Sequence, residues 1–109
     1  MKSLSVAEGR VIKDDSGVVA RVVYSAPEAM IVHIDIAPGG FVKLHVTPID
    51  REYFVLEGRG LFMLGEESME AGPGVCIPNP RGVPHGIRNP GVTPLRVLAV
   101  KNPRPDNEV

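Results

Sequence analysis

Short apolar stretches alternate with turns that contain glycine or proline along almost the whole chain. Glycine contributes 12 and proline 11 of the 109 residues, at short intervals rather than in one linker. This spacing is typical of many short strands in an all-β sandwich or barrel. A weak helix candidate covers residues 26–30. The predicted strands lie near residues 9–13, 18–25, 29–37, 41–47, 51–57, 60–64, 67–70, 74–78, 84–89 and 94–101.

Side-chain alternation assigns the faces of two neighbouring strands. Along residues 41–47, it places Lys43, His45 and Thr47 on one face, and the two valines and the leucine on the other. Along residues 51–57, the odd-numbered side chains share one face and the even-numbered side chains share the other. Both faces carry large apolar groups. We therefore expect one face to border a cavity and the other to meet a second sheet or subunit.

Bulk properties narrow the class of protein. A chain of 109 residues fits one domain with a single core. The formal net charge of -1 gives no general field for nucleic acid or an anionic membrane. No segment approaches the ~20 apolar residues that span a bilayer, and residues 1–10 lack a signal-peptide core, so we expect a cytoplasmic protein. The one cysteine, Cys76, excludes an intramolecular disulfide, and its apolar neighbours predict a small buried side chain.

Two histidine-bearing segments carry the candidate chemistry. The first, GGFVKLHVTPIDREYFVLEG, covers residues 39–58 and places His45 on a strand before a polar loop and a second strand. The second, GPGVCIPNPRGVPHGIRNPG, covers residues 72–91 and places His85 shortly before an Asn-Pro-Gly turn. Two such segments in one small β-rich chain indicate a site inside a barrel. His33 has no comparable partner, and we interpret it as a structural residue.

These segments resemble the two motifs of the cupin family. The first motif reads Gly, five residues, His-x-His, three or four residues, Glu, six residues, Gly. The second reads Gly, five residues, Pro-x-Gly, two residues, His, three residues, Asn, and this chain has two more residues between its proline and histidine. The matching positions are Gly39, His45 and Gly58 in the first motif, and Gly72, Pro78, His85 and Asn89 in the second.

The resemblance implies an all-β fold, the double-stranded β-helix (jelly-roll) barrel. We expect a single cupin domain over residues 1–109, with the core barrel at about 18–101. The N-terminal strand and the C-terminal tail are expected to lie outside that barrel. Small cupins resemble dimers whose N-terminal strands extend the partner's sheet, so a homodimer through residues 4–12 and 18–25 is also expected.

The resemblance also implies where a metal would bind. In metal-binding cupins, two histidines and a glutamate of the first motif join the histidine of the second. His45 and His85 match the first and last of these ligands. Thr47 replaces the second histidine, and its neutral hydroxyl is a poor ligand for a divalent cation.

The glutamate position is open between two residues. Counting back from Gly58 places Arg51 there, whereas counting forward from His45 with the four-residue spacer places Glu52 there. One residue of difference turns a side chain to the opposite face of the strand. We favour Arg51 because the strand that ends at Gly58 is the stronger anchor. A bulge at residues 50–51 would instead aim Glu52 or Asp50 inward.

Each alternative predicts a different site. With a carboxylate inside, His45, His85 and Glu52 (or Asp50) form a two-histidine, one-carboxylate set that suits Fe, Mn, Ni or Zn. With Arg51 inside, its permanent charge repels a divalent metal, and the site is metal-free. The candidate substrate-binding residues are Thr47, Arg51, Tyr53 and Lys43.

Three functions remain open from the sequence. The first is a metal-dependent enzyme of the isomerase, lyase or dioxygenase type. The second is a metal-free module that binds a sugar, carboxylate or phosphate. The third is metal-free catalysis in which His45 or His85 acts as general base. All three place a small polar or anionic molecule inside the barrel, with neither nucleic acid nor membrane as a partner.

Overall fold

Ten strands and no helix make up the computed structural model, which describes residues 1–106. All ten predicted strands are present, with only their ends shifted. Part of the predicted C-terminal tail, residues 107–109, lies outside the described residues. The strands are β1 (Arg10–Asp15), β2 (Val18–Ala26), β3 (Ala29–Ile36), β4 (Phe41–His45), β5 (Asp50–Glu57), β6 (Gly60–Leu64), β7 (Glu67–Ala71), β8 (Cys76–Asn79), β9 (His85–Arg88) and β10 (Leu95–Asn102).

The helix candidate at residues 26–30 is wrong. β2 continues to Ala26, β3 begins at Ala29, and these two residues pair across a hairpin. Pro27 and Glu28 form the two-residue turn between them. Proline fixes φ near the value that a turn needs and donates no backbone hydrogen bond, so the local sequence suits a turn better than a helix.

Two antiparallel sheets form the barrel. The larger has the order β1-β2-β3-β10-β5-β8, and the smaller has the order β4-β9-β6-β7. Strands distant in the chain are neighbours in both sheets, as in the pairing of β10 with β3 and β5. Side chains from both sheets meet in one apolar core. This is the double-stranded β-helix that the sequence predicts.

Alternation along the central strands builds the core and also carries charge into it. On β10, Leu95, Val97 and Ala99 point inward and are fully buried, and the next inward position is Lys101. On β5, Tyr53 and Val55 are buried in the same way, and the inward position before them is Arg51. The same periodicity that buries aliphatic groups therefore places two cations at one end of the barrel.

The predicted face assignment of residues 41–47 is wrong for Val42, because β4 contains a bulge. Val42 pairs with Ile87 and His45 with His85, so two residues of β4 lie opposite the single residue Gly86. Val42, assigned to the face opposite His45, consequently packs against the core and borders the same cavity as His45. A Cβ on Gly86 would lie 2.7 Å from the carbonyl oxygen of Val42, so glycine permits this close approach.

Cys76 is exposed, so the prediction of a buried side chain is also wrong. It begins β8, the edge strand of the larger sheet, and alternation turns Ile77 inward in its place. Apolar neighbours in sequence do not bury a residue on the outer face of an edge strand.

Residues 1–106 contain no helix with the length and apolar character that spanning a bilayer requires.

Candidate functional site

A cavity of about 430 Å³ lies inside the barrel and reaches the surface beside β1 and β4. One part of its wall is aliphatic and comes mainly from the larger sheet. The aliphatic side chains are Ile12, Val18, Ala20, Val32, Ile34 and Val42. The polar part consists of Lys13, Asp14, Asp15, Lys43, His45, Arg51, Tyr53 and Lys101. Its size is within the range of pockets that hold small organic molecules.

Arg51, not Glu52, occupies the inward position on β5. The Arg51 side chain borders the cavity, and the residue is only 5% exposed. Glu52 points to the other face, where its Oε1 accepts a hydrogen bond of 2.7 Å from Asn102 Nδ2. β5 pairs with β8 without a register shift across Arg51 and Glu52, so the alternative bulge at this point is absent.

Arg51 is hydrogen-bonded to His45. The distance from Arg51 Nη1 to His45 Nε2 is 3.3 Å, and His45 Nδ1 lies 3.0 Å from the carbonyl oxygen of Lys43. A carbonyl only accepts hydrogen bonds, so Nδ1 carries the proton in the tautomer assigned from these contacts. Nε2 then accepts from the guanidinium, which only donates. His45 thereby orients one side of the Arg51 guanidinium.

His85 lies directly opposite His45 on β9. The two ring centroids are 4.4 Å apart, and the rings are tilted by 54°. His85 Nδ1 is 3.1 Å from the carbonyl oxygen of Val83, which assigns it the same tautomer as His45. Its Nε2 is buried and has no hydrogen-bond partner in the described chain. This lone pair is thus unused within the described residues, although His85 itself does not border the cavity.

Both imidazoles are held neutral. Burial lowers the pKa of His45, and the charges of Arg51 and Lys101 lower it further, although the hydrogen bond to Lys43 opposes these effects. Burial also lowers the pKa of His85. The neighbouring His45 and Arg51 lower this pKa further, although the hydrogen bond to Val83 opposes these effects. Near pH 7 the positive charge of the site therefore belongs to arginine and lysine rather than to histidine.

Tyr53 forms part of the cavity wall beside His85. Its ring lies edge-on to that of His85 with centroids 6.0 Å apart, and 6.1 Å from the ring of Phe62. Burial raises the pKa of its hydroxyl, and the nearby Arg51 charge only partly offsets this. The Tyr53 oxygen lacks a hydrogen-bond partner within residues 1–106. The hydroxyl is thus neutral and able to donate to a bound molecule.

Lys101 strengthens the positive end of the cavity. It is 3% exposed and lies opposite Arg51 in the pairing of β10 with β5. Lys43 lies at the cavity surface and is only partly covered. The charge of Lys13 is compensated by Asp15, since their charged atoms are 2.8 Å apart. Arg51 and Lys101 thus place two cations at the enclosed end of the cavity.

Sequence reasoning missed two residues of the site, Lys101 and Asn79. The signal for Lys101 is the alternation along β10, which continues from its buried aliphatic residues to this lysine. A lysine at the end of a strand usually reaches solvent, so its residue type indicates exposure where the periodicity indicates burial. Asn79 Nδ2 donates to the Arg51 carbonyl at 3.0 Å, which ties β8 to the site.

Four predicted site residues do not line the cavity. One of them is His85, which is fully buried and lies against the rings of His45 and Tyr53. Thr47 is buried, but its hydroxyl donates to the carbonyl oxygen of Ile49 at 3.1 Å. Asp50 forms an ion pair with Arg81, with Oδ2 and Nη2 3.2 Å apart, and this contact lowers the Asp50 pKa. Glu52 lies on the outer face of β5. The other candidates, Lys43, His45, Arg51 and Tyr53, do line the cavity, and their roles in binding stay predictions.

A divalent metal does not fit the residues that meet here. The described chain contains no group of three or more His, Cys, Asp or Glu side chains that could hold a metal ion. His45 and His85 offer two nitrogen donors, but the third neighbour is the Arg51 guanidinium, which repels cations. The ligand set of His45, His85 and Glu52, with Asp50 as the alternative, stays a prediction from the motif.

The two-sheet topology and the internal cavity define the class of single-domain jelly-roll barrels. The family model described as Cupin domain matches residues 32–101, more than half of the chain. The chain therefore belongs to the cupin family. This confirms the resemblance recognised in its two motifs.

Several known proteins are similar to this chain in sequence or in fold. The uncharacterized protein MJ1618 of Methanocaldococcus jannaschii is 33% identical over 82 residues, which is 74% of this chain and 66% of that protein. The structure of TT1209 from Thermus thermophilus superposes with a TM-score of 0.79 at 31% identity, over 84% of this chain and 89% of that one. KdgF from Halomonas sp. has a TM-score of 0.89 at 20% identity, over 100% of this chain and 99% of that one. The last similarity concerns the fold alone.

Proposed function

We propose that this protein binds a small carboxylate with an apolar body inside the barrel, without the help of a metal ion. The observation that carries the proposal is the pairing of Arg51 with Lys101, two enclosed cations on adjacent strands at one end of the cavity. Electrostatic attraction is stronger in such a poorly solvated place than in water. An anionic group on a ligand would complement the positive charge at this end of the cavity.

The guanidinium of Arg51 is suited to a carboxylate. Its planar set of donors matches two carboxylate oxygens, and charge-assisted hydrogen bonds of this kind are stronger than neutral ones. His45 holds Nη1 through its Nε2, which limits the orientations of the guanidinium. Lys101 adds a second positive charge, and Tyr53 supplies a hydroxyl donor. These groups orient a ligand with its carboxylate toward β5 and β10.

The rest of the ligand would contact the aliphatic part of the wall, formed by β1, β2 and β3 together with Val42. Burial of apolar surface contributes roughly 25 cal/mol per Å². A strongly hydrated sugar would lose hydrogen bonds to water against this wall without regaining them. Among the polar ligands predicted from the sequence, the cavity therefore favours a carboxylate that has a hydrocarbon or ring portion.

Calorimetric titration with hexanoate, benzoate and phenylacetate tests this proposal. We expect at least one of them to bind, whereas hexanamide, which has an uncharged head group, should bind at least about tenfold more weakly than hexanoate. Arg51→Gln should weaken carboxylate binding by a similar factor. Arg59→Gln is the matched control, because Arg59 is exposed and makes only a 3.8 Å ion pair with Glu70. The proposal fails if no carboxylate binds, or if carboxylate and amide bind equally well.

Proton transfer by His85 is a second candidate function. The observation that favours it is the buried Nε2 lone pair, which has no hydrogen-bond partner in the described part of the chain and belongs to a neutral ring. His85 does not border the cavity, so a substrate must reach past His45 and Tyr53 to contact it; such a nitrogen can then act as a general base. Exchange of the carbon-bound protons of 2-oxobutyrate with deuterated water, followed by NMR, tests this role. Exchange should be lost in His85→Gln, and exchange that persists at the wild-type rate would rule the role out.

We also propose that two copies of the chain associate through their N-terminal regions. β1 forms one edge of the larger sheet, and Leu4, Val6 and Val11 are exposed on or before it. An exposed strand edge with apolar side chains favours pairing with another chain. Sedimentation equilibrium at micromolar concentration should show a dimer. A monomer under those conditions would contradict the proposal.

A further inference from the structure

We infer that Arg51 acts as a built-in cation that keeps divalent metals away from His45 and His85. It follows that the single substitution Arg51→Glu should turn this histidine pair into a metal site. The inference concerns metal selectivity and does not depend on the proposed carboxylate ligand. Metal binding and carboxylate binding are measured separately, so each proposal can fail alone.

The two histidines are arranged like two ligands of one ion. Each directs Nδ1 to a backbone carbonyl two residues earlier, Lys43 for His45 and Val83 for His85. Such contacts fix the ring and the tautomer in metal sites and leave Nε2 as the donor atom. At a metal–nitrogen distance of about 2.1 Å, two imidazoles have ring centroids roughly 4.6 Å apart when they are bound at 90° and roughly 5.3 Å apart in a tetrahedral site. The observed separation of 4.4 Å is close to the first arrangement.

Arg51 opposes metal binding in two ways. Its Nη1 lies 3.3 Å from His45 Nε2 and directs an N–H at the lone pair that an ion would need. A guanidinium is a cationic group, so a metal ion between the histidines would face a neighbouring positive charge. The same guanidinium therefore forms a hydrogen bond with the nitrogen that would bind the metal, and it raises the electrostatic potential around that nitrogen.

The two carboxylates next to Arg51 in the sequence do not enter the site. Glu52 accepts a hydrogen bond from Asn102 on the outer face of β5, and Asp50 is paired with Arg81. A glutamate at position 51 would instead begin its side chain on the inward face. It would remove the positive charge, release His45 Nε2 and add a carboxylate to the two nitrogens. The product is a two-histidine, one-carboxylate set, which suits Ni²⁺ or Zn²⁺.

Titration of the purified protein with Ni²⁺, combined with metal analysis after dialysis, tests the inference. Wild-type protein should retain no stoichiometric Ni²⁺. Arg51→Glu should retain one ion per chain and bind it on the order of 100-fold more tightly. Adding His45→Ala or His85→Ala to that variant should abolish the gain. Arg59→Glu, the same change of charge at an exposed site, should behave like the wild type.

Arg51→Gln separates the two effects of Arg51 and provides a second variant if the glutamate variant does not fold. It removes the charge and frees His45 Nε2 without adding a carboxylate, so its Ni²⁺ affinity should exceed that of the wild type by about tenfold. An affinity equal to that of the wild type would overturn the inference. Stoichiometric Ni²⁺ in the wild type, lost in His85→Ala, would also overturn it. So would a folded Arg51→Glu variant that binds Ni²⁺ no better than the wild type does.

Discussion

Arg51 and Lys101 face each other across β5 and β10, and both are almost completely enclosed by the protein. Like charges in directly opposite positions of a sheet disfavour that pairing. Both residues occupy inward positions of strands whose other inward residues are apolar. The fold thus concentrates positive charge where an aliphatic side chain would be expected. This concentration is the basis of the proposed anion site.

Lys101→Met should weaken carboxylate binding by about tenfold while preserving the fold. Methionine keeps much of the length of the lysine side chain but removes its charge from the inner end of the cavity. Titration calorimetry with hexanoate provides the measurement. Lys43→Met should have a smaller effect, because Lys43 also lines the cavity but lies nearer to solvent, which screens its charge. Equal effects of the two substitutions would show that Lys101 has no special role.

Tyr53→Phe should change the free energy of unfolding by less than about 1 kcal/mol. The hydroxyl lacks a close hydrogen-bond partner within the described residues and interacts there with the nearby Arg51 guanidinium, so its removal costs little. Tyr53→Ala should cost about 3–5 kcal/mol, because it removes a fully buried ring. Urea denaturation of both variants provides the comparison. A loss above about 2 kcal/mol in Tyr53→Phe would mean that the hydroxyl is bonded in the free protein.

Stability should fall as the pH decreases below the ordinary histidine pKa of 6.5. The pKa values of His45 and His85 are lowered in the folded protein, so the unfolded chain takes up protons first. Their contribution is complete above the unfolded pKa and is lost as the pH falls toward the folded values. Urea midpoints at about pH 7.5, 6.5 and 5.5 should decrease in that order.

Replacing His85 or His45 by glutamine should flatten this pH dependence. His33 is the control for a histidine outside the site: burial lowers its pKa as well, so His33→Gln should flatten the profile without affecting carboxylate binding. A urea midpoint that rises as the pH falls through this window would contradict the neutral state of the two site histidines.

Gly58→Ala should destabilise the protein much more than Gly39→Ala. Both glycines have positive φ, 79° at Gly58 and 81° at Gly39, so the backbone strain of alanine is similar, about 1–2 kcal/mol. A Cβ at position 58 would lie 2.3 Å from the carbonyl oxygen of Pro94, whereas at position 39 no atom lies within 4 Å. Urea denaturation of both variants isolates this contact. Equal losses would show that the loop at Pro94 moves aside readily.

Much of the architecture followed from the sequence. Strand positions and turns were predicted because glycine, proline and alternating apolar residues report local backbone preferences. The same local signals gave two errors. Ala26 and Ala29 pair in a hairpin rather than a helix, and Cys76 is exposed because edge position, which is a property of the whole sheet, decides its burial.

Alternation alone could not predict which side chains of β4 enter the cavity. The bulge opposite Gly86 brings Val42 and His45 to the same side, and it depends on the pairing of β4 with β9, which is distant in the chain. The two motif counts for β5 failed to agree for a related reason, since each started from a different strand. The two counts differ by one residue, and this residue falls in the loop between His45 and Asp50, whose path is known only from the folded structure.

The sequence by itself determined the cupin fold and the two motif histidines, and it narrowed the inward position of β5 to Arg51 or Glu52. Only the tertiary structure selected Arg51, because the inward face of β5 is defined by its pairing with β10 and β8. It also revealed Lys101, whose strand lies far along the chain. Local patterns specify strands and turns, whereas the charge inside a barrel depends on which strands become neighbours.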